Sequence, residues 1–267
     1  MADLFVKQAK EYAVSRPCYP SQLFRFIASK TPSHQLAWDV GTGSGQAAHH
    51  VCAFLLLEFL KNVVGTDASV KQLEYAVKLP NVRFQHTPST MSLAEQEQKV
   101  APEGTVDVVT IAQALHWFDL PTFYRQVKWV LKKPHGVIAA WCYNVPRVTD
   151  AVDKVFDHYA AELKPYWDRA RELVDNNYRS IDFPFEPVDG ADDTGPIEFV
   201  TEKEVDLDDF LTYLRSSSAY QTAIEKGVEL LREDVVEGFK SAWIEDGSLL
   251  KVARFPVYLR IGKVGDA

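Results

Sequence analysis

The 267-residue sequence is poor in cysteine and positive charge, and no apolar run is long enough to span a bilayer. Its three cysteines, Cys18, Cys52 and Cys142, lie far apart without a C-x-x-C spacing. This distribution argues against both a disulfide framework and a zinc site, and we expect reduced, structural cysteines. The most apolar stretch, 51–57, ends at Glu58, well short of the ~20 residues that a membrane helix needs. We therefore expect no membrane segment.

Acidic residues outnumber basic ones, 37 to 29, which gives a formal net charge of −8. No cluster of Lys and Arg offers a surface for a phosphate backbone, so nucleic acid is not an expected partner. The first residues, 1–4, lack the basic and apolar regions of a signal peptide, which favours a cytoplasmic protein. G-x-S-x-G and H-E-x-x-H motifs are also missing, which excludes the common serine-hydrolase and zinc-protease signatures. The oligomeric state is left open.

Strand and helix patterns alternate through the first half of the chain, which predicts an α/β fold with a doubly wound parallel sheet. The hydrophobic content of 46% is sufficient for one full core. The predicted strands are 36–40, 62–67, 82–86, 106–111, 136–143, 197–205 and 255–264. Because Pro256 falls inside the last one, we expect it at the strand's start or at a bulge.

The chain 1–267 is interpreted as a single domain with four parts. They are an N-terminal helical cap over 1–35, a core over 36–145, a lid insertion over 146–196, and the remaining strands and helices over 197–267. Within the lid, 182–196 is rich in Pro, Gly and Asp without apolar periodicity, which predicts a long mobile loop.

A glycine turn between a strand and a helix is the most informative motif. Gly41, Gly43 and Gly45 follow Asp39 at alternate positions, so no Cβ blocks a ligand from the turn. The dinucleotide fingerprint G-x-G-x-x-G would require glycine where Gln46 stands. A carboxylate beside the ligand repels a pyrophosphate and favours a cation, such as the sulfonium and ammonium of S-adenosylmethionine.

Asp67 ends the second predicted strand, where a carboxylate can accept hydrogen bonds from both hydroxyls of a ribose. A turn residue or a helix cap is the alternative for this side chain. Ser69 already begins a capping box for the next helix, however. The motif order of strand, acid and helix thus favours a nucleoside-containing cofactor.

The turn resembles the acidic-x-G-x-G-x-G motif of class I S-adenosylmethionine-dependent methyltransferases. Four further segments resemble the trans-aconitate methyltransferase-like (methyltransferase type 11) subgroup: 12–20 (YAVSRPCYP), 113–119 (QALHWFD), 132–136 (KKPHG, with His135 in place of a glycine) and 216–220 (SSSAY). The resemblance implies a Rossmann-like, seven-stranded sheet with a helical lid. S-adenosyl-L-methionine is then expected above the carboxyl ends of strands one, two and four.

Cofactor contacts implied by the resemblance include Tyr12, over the methionine part, and Arg16, on a carboxylate of cofactor or acceptor. Gln113 is expected beside them, after the fourth strand. Relatives place an A-E pair next to adenine, whereas this chain has 88–92 (PSTMS), so Ser89 and Thr90 are the predicted adenine contacts there. Two alternatives remain open: Tyr12 could be a packed aromatic residue, and Arg16 could be a charge on the surface.

The acceptor pocket is expected near His116 and Trp117, which also follow the fourth strand. His116 is a candidate general base, with a structural histidine as the alternative. Trp117 offers an aromatic wall. Family position suggests further acceptor-binding residues, each of which is open to a purely structural role: Tyr143, Tyr178, Tyr220 and Trp243.

Together these patterns predict methyl transfer to a small molecule, with a carboxylate oxygen favoured as acceptor. A bound sulfonium needs no protein nucleophile, and aligned reactants gain on the order of 7 to 11 kcal/mol over a bimolecular reaction. The alternatives are a phenol or amine methyltransferase that uses His116 as base, a nicotinamide-dependent dehydrogenase and a non-catalytic cofactor-binding protein.

Overall fold

The computed structural model describes residues 17–45, 60–76, 78–88 and 90–266. Its centre is one seven-stranded sheet with the order β3-β2-β1-β4-β5-β7-β6. The strands are β1 (Leu36–Val40), β2 (Asn62–Asp67), β3 (Val82–His86), β4 (Val108–Ala112), β5 (Val137–Tyr143), β6 (Ile197–Val205) and β7 (Lys251–Lys263). β1 to β5 pair in parallel, and β7 runs antiparallel to both β5 and β6. The predicted Rossmann-like, seven-stranded α/β fold is confirmed.

Helices connect the strands and cover the sheet. They are α1 (Ser21–Lys30), α2 (Val70–Glu74), α3 (Leu93–Lys99), α4 (Leu120–Val130), α5 (Asp150–Leu163), α6 (Arg171–Asp175), α7 (Leu207–Arg215), α8 (Ser218–Glu225) and α9 (Glu233–Trp243). The sequence places their ends by capping. Thr149, for example, accepts a hydrogen bond from the backbone N–H of Val152 at the start of α5.

Both faces of the sheet are buried, and alternate residues of a strand belong to different faces. In β5, Trp141 packs with α1, α5 and the helices α7 to α9, whereas Cys142 packs with α4 and the segment around Tyr178. Because β5 is covered on both sides, all seven of its residues are buried. This arrangement leaves the carboxyl edge of the parallel strands as the place for a ligand.

Pro256 lies neither at the start of its strand nor at a bulge, so that expectation is wrong. β7 begins at Lys251, and its register with β6 is continuous from Ile197 to Val205. The Pro256 carbonyl accepts a hydrogen bond from the Asn144 N–H, just beyond the last residue of β5. The nitrogen that lacks a proton therefore faces a position where the β5 ladder has already ended.

The loop 182–196 has no helix or strand, as predicted, but contacts fix it to the amino edge of the sheet. Glu186 bridges to Lys263, and Lys263 pairs with Asp189 at 2.6 Å. Since Lys263 lies opposite the first residue of β5, this loop is on the edge away from the glycine turn. Any closure over that turn has to come from the helical part of 146–196.

Asp107 links the amino edge of the sheet together and gives a first prediction. Its carboxylate accepts hydrogen bonds from the backbone N–H groups of Gln35 and Leu36, at 2.7 and 2.8 Å, and pairs with Lys132 at 2.5 Å. Replacement by alanine leaves these donors without an acceptor. Asp107→Ala should therefore lower the free energy of unfolding by about 3 kcal/mol. Urea denaturation measures the change. An unaltered midpoint would contradict this role.

Among the described residues, no helix combines the length and apolar character required to cross a membrane.

Candidate functional site

A cavity of about 200 Å³ opens at the carboxyl edge of the sheet, over β1, β2 and β4. Its walls come from the glycine turn, from the residues that follow β2, β3 and β4, and from aromatic side chains after β4. The principal lining residues are Tyr19, Trp38, Gly41, Gly43, Ser44, Asp67, Ser69, Gln72, Thr87, Pro88, Met91, Gln113, Trp117, Phe118 and Phe123. The predicted position of the site is therefore supported by a physical cavity.

The glycine turn brings the backbone close to the cavity. A side chain on Gly41 would clash with its neighbour, and the absence of one on Gly43 leaves the space beside it open. A Cβ on Gly41 would lie 2.7 Å from the Cβ of Ala114, so only glycine allows β1 and β4 to continue this close together. Among the described residues, a Cβ on Gly43 would have no heavy atom nearer than 3.9 Å. Gly43 has a φ of 59°, in the left-handed region.

Asp39 lies behind the turn and is fully buried. One carboxylate oxygen accepts a hydrogen bond from the Thr42 hydroxyl at 2.5 Å, and the other accepts one from the Thr110 hydroxyl at 2.7 Å. Burial raises the pKa of Asp39 to about 6, although these two hydrogen bonds act in the opposite direction. Its charge is therefore poorly solvated, and direct contact with a ligand remains a prediction.

Asp67 ends β2, borders the cavity and shapes the turn. Its two oxygens accept hydrogen bonds from the backbone N–H groups of Gly43, at 2.8 Å, and Ser69, at 2.7 Å. Burial raises the pKa of the Asp67 carboxyl above its usual range. Each carboxylate oxygen has two lone pairs, so both can accept a further hydrogen bond from a ligand hydroxyl.

Gln113 borders the cavity, but its amide is used for structure. The side-chain oxygen accepts a hydrogen bond from the Tyr143 N–H at 2.8 Å, and the side-chain nitrogen donates to the Tyr143 carbonyl at 3.1 Å. A φ of 55° turns Gln113 away from the β4 direction and makes this bridge to the end of β5 possible. Any contact of Gln113 with the cofactor would therefore involve its backbone or an amide that is already bonded to Tyr143.

His116 and Trp117 form a short 3₁₀ helix after β4 (Leu115–Trp117), with ring centroids 4.6 Å apart. Trp117 borders the cavity, whereas His116 is not among the residues that line it. His116 Nδ1 lies 2.8 Å from the hydroxyl of Tyr178. Burial, with a smaller contribution from the cationic Arg171, lowers the pKa of His116 to about 3. The imidazole is neutral at physiological pH.

The other predicted acceptor residues lie outside the cavity wall. Tyr143 and Tyr178 are buried on opposite faces of the sheet. Tyr220 donates its hydroxyl proton to Glu229, with oxygen distances of 2.8 and 2.9 Å. Trp243 is 1% exposed and donates its indole N–H to the Leu249 carbonyl at 2.9 Å. Their role as acceptor contacts stays a prediction.

Several predicted cofactor contacts cannot be placed. Tyr12, Arg16 and Ser89 lie outside the described residues. Thr90 is exposed and is not part of the cavity wall, whereas Met91 of the same segment is. Gly45, the third glycine of the turn, faces Phe84 rather than the cavity.

Several residues that line the cavity were not predicted as site residues from the sequence. Tyr19 belongs to the Y-x-x-x-R-P-x-Y-P segment, which could have identified it. Ser44 stands between two motif glycines, and its buried hydroxyl has no hydrogen-bond partner among the described residues. Met91 and Phe118 lie within the segments 88–92 and 113–119, which could have identified them, whereas Phe123 shows only the apolar pattern of a core residue.

No cluster of three or more His, Cys, Asp or Glu side chains suited to a metal ion occurs in the described parts of the chain. The described cysteines, Cys18 and Cys142, are both free. Cys142 is buried, which raises the pKa of its thiol to about 12. This thiol is therefore not a nucleophile near neutral pH.

Comparison with known proteins connects this geometry to a family. Residues 38–140 match the family model described as a methyltransferase domain. A Dictyostelium discoideum protein named as a methyltransferase is 30% identical over 270 residues, covering 98% of this chain and 95% of that protein. The S-adenosylmethionine-dependent methyltransferase CRG1 of Saccharomyces cerevisiae is 29% identical, covering 65% of this chain and 58% of the yeast protein.

A solved structure from Anaeromyxobacter dehalogenans, named as a type II methyltransferase, has a similar fold. It superposes with a TM-score of 0.77 at 30% sequence identity, covering 94% of this chain and 99% of that one. The likeness includes both the sheet and the helices beyond it.

Proposed function

Because the chain belongs to the class I S-adenosylmethionine-dependent methyltransferases, we propose that it methylates a carboxylate oxygen of a small-molecule acceptor. The family assignment rests on the near full-length relative and the matched methyltransferase domain. S-adenosylmethionine is the cofactor.

The residues of the cavity fit S-adenosylmethionine, which supplies an activated methyl group when it is bound. The open space beside Gly43 accommodates a ligand where any side chain would intrude. The buried Ser44 hydroxyl lacks a partner among the described residues and can donate to a carboxylate. Asp67 can accept hydrogen bonds from ribose hydroxyls, as argued from its position at the end of β2.

The adenine is best placed against the apolar part of the wall. Met91, Phe118 and Phe123 line that part, and Pro88 borders it. Phe118 and Phe123 stack with ring centroids 4.5 Å apart, which fixes a flat aromatic surface. This placement replaces Thr90 by Met91 as the contact from the segment after β3.

The choice of acceptor rests on the surroundings of His116, whose Nδ1 lies 2.8 Å from the Tyr178 hydroxyl and whose burial lowers its pKa. A phenol has a pKa near 10 and must lose its proton to a base, whereas a carboxyl group is ionised at neutral pH. A histidine held neutral by burial, with a pKa of about 3, is a poor acceptor for such a proton. An acceptor that arrives as an oxyanion needs no base, which favours a carboxylate over a phenol or an ammonium group.

A panel of paired acceptors tests this proposal. Purified protein is incubated with methyl-labelled S-adenosylmethionine and with mono-, di- and tricarboxylic acids, each paired with the phenol or amine of the same carbon skeleton. We expect label transfer only to carboxylic acids. Transfer confined to phenols or amines would refute the proposal and return His116, or a residue outside the described parts, to the role of base.

The pH dependence of cofactor affinity provides a second prediction. With a pKa of about 6, Asp39 is protonated in acid and must ionise to attract the cationic cofactor. The dissociation constant should be level above about pH 7 and rise about tenfold by about pH 5. Calorimetry in buffers of different ionisation enthalpy measures both the affinity and the proton released.

Asp39→Asn serves as the control. It should flatten most of this dependence, with a residual slope from Asp67. A raised folded-state pKa contributes stability at low pH that is lost as pH rises through about 6, so the variant should also melt higher than the parent at neutral pH. A parent affinity that is level across the whole range would contradict the role of Asp39.

The fold restricts the predicted lid to the helical part of 146–196. Loop 182–196 is already tied to the amino edge of the sheet, whereas α6 and Tyr178, both within 164–178, contact the 3₁₀ helix that carries His116. Hydrogen exchange should therefore slow in 164–178 when cofactor and acceptor are added, with little change in 182–196. The reverse pattern, or no change in either segment, would count against a lid in the helical part.

A further inference from the structure

Tyr178 is placed against His116 by an unusual stretch of backbone. Asn177 and Tyr178 are consecutive non-glycine residues in the left-handed region, with φ of 58° and 59°. Non-glycine residues rarely adopt this conformation, so other contacts must hold the pair in place. The Asn144 amide donates to Asn177 at 2.6 Å, and the Arg260 guanidinium donates to the Tyr178 carbonyl at 2.9 Å.

The hydroxyl of Tyr178 fixes which nitrogen of His116 carries the proton. Tyr178 is fully buried, and a buried phenol has to donate its proton to an acceptor. In the described parts of the chain, the acceptor within hydrogen-bond distance is His116 Nδ1, at 2.8 Å. A neutral imidazole that accepts at Nδ1 carries its proton at Nε2.

The Nε2 edge of this imidazole is the edge that Tyr178 does not engage. His116 remains partly exposed although Tyr178 covers its Nδ1 edge. The neighbouring ring of Trp117 borders the cavity. Arg171 adds positive charge near His116 and is itself held by Asp175, at 2.7 Å, and by Asn144, at 3.1 Å. A neutral N–H donor suits a hydrogen-bond acceptor such as a carboxylate oxygen.

We propose that His116 is a hydrogen-bond donor through Nε2–H to an anionic oxygen of the acceptor, and that Tyr178 is the positioning residue that fixes this tautomer. The inference rests on the proposed function for the identity of the acceptor, a carboxylate. It assigns His116 a binding role in place of the general base. One carboxylate oxygen is held by Nε2–H while the other is free to attack the methyl group.

Nuclear magnetic resonance of histidines labelled with ¹⁵N tests the tautomer without any acceptor. We expect the Nε2–H form for His116, and a mixture of tautomers in Tyr178→Phe. His158 is an internal reference for the opposite form, because its Nδ1 donates to the Lys154 carbonyl at 2.7 Å. A proton on Nδ1 of His116 in the parent protein would overturn the inference.

Acetate, with acetamide as its neutral match, tests the donor role in protein that holds S-adenosylhomocysteine. Acetate should shift the His116 Nε2 resonance saturably, and acetamide should not. His116→Phe should weaken acetate binding at least fivefold, and His116→Gln, whose amide can still donate, should restore part of it. Equal affinities in all three proteins would overturn the donor role. The paired-acceptor panel stays independent, since carboxylates could still be methylated without this contact.

Discussion

Gly43→Ala is expected to weaken S-adenosylmethionine binding by about 10- to 100-fold, a loss of about 1–3 kcal/mol. The added methyl group would lie at least 3.9 Å from the described parts of the chain and would enter the space assigned to the cofactor. The fold should tolerate it, because the main cost to stability is the left-handed backbone, at roughly 1–2 kcal/mol. Calorimetry gives the affinity, and thermal melting gives the stability.

Gly104→Ala is the matched control for this variant. Gly104 has a φ of 63°, and a Cβ there would have no heavy atom of the described residues within 4 Å. It is not part of the cavity wall. The two variants should therefore lose similar stability, while only Gly43→Ala loses cofactor affinity. Equal affinities in both would place the cofactor elsewhere.

Asp67→Ala is expected to weaken binding by about 1.5–3 kcal/mol for each hydrogen bond it makes to a ribose hydroxyl. The same change leaves the N–H groups of Gly43 and Ser69 without their acceptor, so part of the loss reflects the turn itself. Calorimetry with S-adenosylhomocysteine measures the total.

A thermodynamic cycle separates the two contributions. The 2′-deoxy analogue of S-adenosylhomocysteine should bind the parent more weakly than the natural compound does. In Asp67→Ala the two compounds should bind alike, because the hydroxyl has already lost its partner. If the variant still distinguishes them by the parent's factor, Asp67 does not contact that hydroxyl and acts only on the turn.

The sheet was predictable because its signals are local. Short strands of five or six residues bounded by turns gave 36–40, 62–67 and 82–86 at their observed bounds. The start of β7 was less accessible, since the exposed Arg254 and the interior Pro256 obscure its pattern. Its first residues are strand because they pair with β6, and no local preference reveals that pairing.

The cofactor half of the candidate site was also local in sequence. The glycine turn and Asp67 occupy the ends of adjacent strands, so topology alone brings them to one edge. The state of His116 was inaccessible, because it depends on Tyr178, 62 positions further along the chain. Gln113 likewise bonds to Tyr143 only because β4 and β5 are neighbours.

Large aromatic residues were the weakest guide to the acceptor site. Trp243 fits a pocket wall by motif position, but its indole N–H is satisfied within the helical layer and its ring is buried. The same residue type serves core and pocket equally well, and only the packing of α9 decides between them. Trp117 differs because it follows β4 directly at the cavity.

The stability of the labelled product to alkali shows whether the acceptor is a carboxylate. Protein and methyl-labelled S-adenosylmethionine are incubated with a metabolite extract, and the product is treated with mild alkali. Methyl esters hydrolyse under these conditions and ethers and methylamines do not. Because a carboxylate acceptor gives a methyl ester, we expect the label to be released as methanol. Label that stays in the product after this treatment would show an ether or amine, and the assignment of a carboxylate acceptor would then be wrong.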